Sequence, residues 1–85
     1  MEKNIKKEQR TISAIATEIK EVWKNVYFGA VPYLNAMLRL GTVNDYYGAD
    51  SARDIVNYFL SNATYWRGED ARRIKKELNE LLKNG

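Results

Sequence analysis

The residues of this chain that could do chemistry are carboxylates, hydroxyls and bases. Histidine and cysteine are absent. Their absence removes the commonest general base, the commonest metal ligand and the thiolate nucleophile together. Asp45, Asp50 and Asp54 lie close in sequence, but their spacing fits no calcium loop. Glu69 and Asp70 are adjacent, so on a helix they point about 100° apart and do not flank one reacting bond. Ser51 and Thr64 have no imidazole to activate them, and there is no glycine-rich phosphate loop. The expectation is a protein with no catalytic residue, no metal, no cofactor and no small-molecule substrate.

What remains is binding chemistry, concentrated in residues 64–76, TYWRGEDARRIKK. Glu69 with Arg73, Arg73 with Glu77 and Lys76 with Glu80 are spaced for helical ion pairs, each contributing about 0.2–0.5 kcal/mol. On that reading the bases are half of a solvated face. Yet Arg72, Lys75, Lys76, Asn79 and Lys83 fall within one arc of about 100° on a helical projection. Such a stripe could meet phosphates or an acidic protein surface. Trp66 has two readings: a lid folded over the core with Arg67 stacked along it, or an exposed anchor with Arg67 of the kind that dominates interfaces. Six tyrosines (27, 33, 46, 47, 58 and 65) exceed what the helical stripes need. Tyr58, Tyr65, Trp66 and Arg67 are therefore the expected partner-binding residues. Arg72, Lys75, Lys76 and Lys83 are the expected contacts if the partner is single- or double-stranded DNA.

Four helical patterns must position these residues, and no segment alternates convincingly like a strand. In the first, Ile12, Ile15, Ala16, Ile19, Val22, Trp23 and Val26 share one stripe. Glu8 would interrupt that stripe, so the packed helix is expected to begin near Thr11, with residues 1–10 frayed or marginally helical. Pro32 suits the first turn of a second helix, VPYLNAMLRL, which is expected to end at a Gly41 cap. Only Asn35 and Arg39 are strongly polar there, which predicts an almost all-round apolar helix at the centre of the fold. A third stripe comprises Ala52, Ile55, Val56, Phe59, Leu60 and Ala63, and Ser51 with Asp54 has the form of a capping box. The fourth helix starts near Gly68 and turns Ala71, Ile74, Leu78, Leu81 and Leu82 inward. Glu69 and Asp70 at its start and Lys83 at its end match the helix dipole. The fold class is all-α: a single compact four-helix domain over residues 11–85.

Eighty-five residues with 45% hydrophobic content allow one domain. A chain of this size buries only about 60–65% of the surface its unfolded form exposes, so its apolar residues are committed to the core rather than to a deep substrate cavity. The formal charge is +3, from 14 bases and 11 acids, which permits an acidic partner without requiring one. No apolar run is long enough for a membrane span, and the lysine-rich start runs into Glu8 and Glu18 rather than a signal core. A cytoplasmic location and no membrane partner are expected.

The stretches VYFGAVPYLNAML (26–38) and DSARDIVNYFLSNATYWRGEDARRIKKEL (50–78) resemble small uncharacterised proteins of phages, prophages and mobile genetic elements of Gram-positive bacteria, staphylococci and streptococci among them. The likeness spans residues 15–83. It implies an accessory protein from a replication or regulation gene cluster, similar to the small partner of an element-encoded DNA polymerase. It carries no catalytic motif and assigns no residue a role. The functional expectation is a non-enzymatic protein that binds a larger protein of DNA replication or its control. The alternatives are direct nucleic-acid binding through the basic stripe, or inhibition of a host factor.

Overall fold

A computed structural model describes residues 9–84. Its elements are α1 (Ile12–Val22), a 3-10 turn (Phe28–Ala30), α2 (Val31–Met37), β1 (Tyr46–Tyr47), β2 (Asp50–Ser51), α3 (Ala52–Ser61) and α4 (Glu69–Asn84). The fold is mostly helical, with four α-helices among the described residues, but it is not purely so. β1 and β2 form a two-stranded antiparallel ladder, Tyr46 opposite Ser51 and Tyr47 opposite Asp50. Gly48 supplies the turn at φ +62°, a conformation that costs glycine little. Two residues per strand are too few to show alternation in a sequence, which is why the ladder was not expected.

α1 begins where its sequence signals it. The Thr11 hydroxyl accepts from the Ala14 N–H at 3.1 Å. The N–H groups of Ile12 and Ser13, normally without helical partners, donate to the carbonyls of Gly41 and Leu40 at 2.8 and 2.9 Å. The start of α1 is therefore held by the exit of α2. The expected fraying of residues 1–10 falls mostly outside the described residues; Gln9 and Arg10 are not helical. The Arg10 guanidinium grips Glu77 with two hydrogen bonds (2.9 and 2.7 Å) and pairs with Glu18 at 2.9 Å.

α2 is shorter and less enclosed than its composition predicted. Beyond Met37 the chain tightens into i→i−3 bonds, from Arg39 to Ala36 and from Leu40 to Met37. Gly41 is not a left-handed cap; its N–H donates to the Asp45 carboxylate at 2.9 Å, as does that of Thr42 at 3.0 Å. These two donors, Thr42 first, hold the Asp45 carboxyl below its ordinary value. α2 does lie between α1 and α3, burying Leu34, Ala36 and Met37, but Val31, Pro32 and Asn35 face outward. A seven-residue helix cannot be wrapped on all sides by three others in a domain this small.

α3 is capped by the Ser51 hydroxyl, which accepts from Asp54 N–H at 3.1 Å. Its Ile55, Val56 and Phe59 join Ile12, Ile15, Ile19, Met37 and Leu40 in one continuous core. Arg53 donates to the Leu82 carbonyl at 2.6 Å. It thereby neutralises the negative end of α4 and ties the start of α3 to the end of α4. No buried residue among those described is polar or charged.

Candidate interaction surfaces

Two surfaces on this core could bind a partner, one apolar and one basic. The basic one lies where the chain turns from α3 into α4. Ala63 starts that turn, accepting from Trp66 N–H at 3.1 Å, and Gly68 at φ +113° redirects the backbone. Trp66 is swung onto the core, where its indole stacks on Trp23 with centroids 4.9 Å apart and planes inclined by 6°. Trp23 in turn meets Phe59 edge-on at 6.1 Å. With only 5% of its surface accessible, Trp66 is the lid and not an exposed anchor.

The group over the indole is also not the expected one. Lys75, rather than Arg67, lies 5.9 Å from the Trp66 ring centroid, and its ammonium donates to the Trp66 carbonyl at 2.7 Å. Burial, and secondarily the charge of Arg67, pull Lys75 below its ordinary pKa. The carbonyl and the ring face act in the opposite sense, and the net shift is downward. Lys75 therefore leaves the solvated stripe. Arg67 and Arg72 remain exposed and, with Lys75, line a shallow hollow of about 360 Å³ floored by Gly68 and Ala71.

Lys76 sits one helical turn from Arg72 but turns to a different groove of α4. It borders a groove of about 580 Å³ with Arg10, Arg73, Glu77 and Glu80, and Lys83 is exposed near the C-terminal end. The basic stripe of the helical projection is thus divided. None of the three expected i,i+4 ion pairs forms among the described residues. Arg73 reaches instead across to Glu18 on α1 at 2.7 Å and back to Asp70 at 2.9 Å. The helical projection misses this because it places charges on one cylinder, whereas Glu18 lies on another. Hydrogen bonds from Arg73 first, and Arg10 next, hold the Glu18 carboxyl below its usual range; Arg10 and Arg73 are raised in return, chiefly by Glu77 and Glu18 respectively.

The apolar surface runs along the 3-10 turn, the open side of α2 and the outer side of α3. Phe28, 79% exposed, leans on Tyr27 with centroids 4.9 Å apart. The Tyr27 ring covers Gly29: a Cβ there would sit 2.5 Å from Tyr27 Cε2 and 2.9 Å from Asn62 Oδ1. Asn62 is held by its amide, which donates to the Tyr58 carbonyl one turn earlier at 2.9 Å. Tyr58, 44% exposed, packs against Tyr33 at 5.4 Å. The contacts form one unbroken strip from Phe28 through Tyr27, Asn62 and Tyr58 to Tyr33. Residues 25–38 and 55–66, which build it, contain no charged side chain.

Of the expected partner-binding residues, Tyr58 is in this strip, and Tyr65 stands apart at 83% exposure beside Arg67. Phe28 was missed. The only sequence signal for it was its place in a charge-free run between two helices. No described group of three or more acidic side chains could hold a metal ion, and no described helix is long and apolar enough to cross a membrane. Comparison of the chain with protein-family models, with curated proteins and with solved structures finds no match, so the reading of its function rests on these two surfaces.

Proposed function

We propose that this chain is a non-enzymatic accessory protein of a phage or mobile element that docks onto a larger protein of DNA replication or its control through the Phe28–Tyr58–Tyr33 strip. The mobile-element context comes from the resemblance of residues 26–38 and 50–78 to such proteins. The docking surface comes from the structure's strip itself. A small domain has every incentive to bury its aromatics, yet Phe28, Tyr27 and Tyr58 stay outside a core already closed by Trp23, Phe59 and Trp66. Aromatic side chains enriched in a field without charge are the composition of an interface centre rather than of an ordinary surface.

Photocrosslinking in cells carrying the element tests this. Benzoyl-phenylalanine in place of Phe28 should capture a replication protein, and the same probe in place of exposed Tyr65 should not. Identical capture from both positions, or none from position 28, refutes the docking surface.

A further inference from the structure

The hollow between the Trp66 lid and the start of α4 is the second place where this chain departs from what stability alone requires. Arg67, Arg72 and Lys75 line it, and among the described residues no carboxylate comes within ion-pair distance of any of them. By contrast Arg73, on the other side of α4, and Arg10, just before α1, are matched by Glu18, Glu77 and Asp70. Lys75 is fixed from behind by the Trp66 carbonyl and keeps two further N–H donors. The Thr64 hydroxyl and the exposed backbone at Gly68 complete the rim with small polar groups. Burial, and secondarily the charge of Arg67, pull Lys75 below its ordinary value.

We infer that this hollow binds the backbone of single-stranded nucleic acid, Arg67, Arg72 and Lys75 each meeting a phosphate, with a neighbouring base stacking on Tyr65. Two observations choose a single strand. The bases converge on one hollow instead of tracking a duplex, since Lys76 lies in the other groove beside Glu77 and Glu80. Tyr65, two residues before Arg67, holds its ring in solvent with 83% of its surface free, and an unstacked base offers the π-face that such a ring takes. The inference is independent of the docking strip, whose Phe28, Tyr27, Asn62, Tyr58 and Tyr33 do not line the hollow.

Fluorescence anisotropy of a labelled oligothymidylate, titrated with the full chain over a salt series, tests it. Three phosphate contacts on a single strand give a log–log salt slope of about −2. The Arg67→Gln, Arg72→Gln double variant should cut affinity at least about tenfold at low salt and bring the slope to about −0.7. Tyr65→Ala should weaken binding about tenfold while leaving the slope unchanged, because stacking releases no counterions. Far-ultraviolet circular dichroism matching wild type assures that the exposed substitutions leave the fold intact. No binding of oligothymidylate at about 20 mM salt, or a double variant with wild-type affinity and slope, overturns the inference. So does a glutamate-rich peptide of equal charge that binds as tightly as the oligonucleotide, for the hollow would then read charge alone.

Discussion

Trp66→Ala should remove a large part of the stability of this domain, and the size of the loss tests the assignment of Trp66 as lid. The indole is almost wholly buried and stacked face to face on Trp23. Replacing a buried tryptophan by alanine costs about 3–5 kcal/mol, from lost transfer energy plus the cavity left behind. An 85-residue domain has about 4–13 kcal/mol in total. The variant should therefore lose between about a quarter of its stability and all of it, and its Tm should fall by about 15–30 °C. Urea unfolding followed by circular dichroism gives the free energy. Near-ultraviolet dichroism reports separately on the coupled indoles and should lose its stacked-pair signal. Tyr65→Ala, one residue away but exposed, should change stability by less than about 0.5 kcal/mol. A Trp66→Ala loss below about 1 kcal/mol would show that the indole does not close the core.

Three further outcomes follow from the same geometry. Lys75 has a folded pKa below its unfolded value, so between the two the unfolded chain holds more protons. Between the folded pKa and the ordinary value near about 10.4 the stability of wild type should rise with pH relative to Lys75→Met; a flat difference in urea midpoint across that window contradicts the shift. For Asp45 stability also rises with pH, but here the charged form is the favoured one. Its depressed pKa contributes stability that is present above the unfolded value of about 3.9 and is lost as pH falls through the folded one, so Asp45→Asn should lower the Tm at neutral pH and reduce its fall in acid. Gly29→Ala should push aside Tyr27 Cε2 and Asn62 Oδ1, both ends of movable side chains. Its cost in stability should stay below about 1 kcal/mol, partly offset by the stiffer unfolded chain, while crosslinking from position 28 to the docked partner falls.

The helices and their inward faces were legible because burial repeats with the helical period: Ile12, Ile15 and Ile19 in α1 and Ala71, Ile74 and Leu78 in α4 all point inward as their spacing requires. Thr11 and Ser51 could be read as caps because capping is decided within four residues. What was not legible depends on which helix stands opposite. Arg73 could have paired with Glu77 on its own helix, but Glu18 on α1 was better placed. The bond from Arg53 to the carbonyl end of α4 likewise joins two helices that no local pattern brings together. The composition of α2 promised an enclosed helix, but no composition says that one flank will lack a neighbour, and that flank is where Phe28, Val31 and Tyr33 come to the surface. For the basic face, the helical wheel counted Lys75 and Lys76 as one group, whereas the lid turns the first inward and leaves the second on the other side.

The bonds from Ile12 and Ser13 to the carbonyls of Gly41 and Leu40 make the beginning of one helix depend on the end of another. A helix start is ordinarily the loosest part of the element, free to unwind a turn without disturbing anything else. Here unwinding would leave both carbonyls without donors and release the chain next to the Asp45 turn, so the two regions must open together or not at all. The start of α1 is thereby coupled to the 41–45 segment.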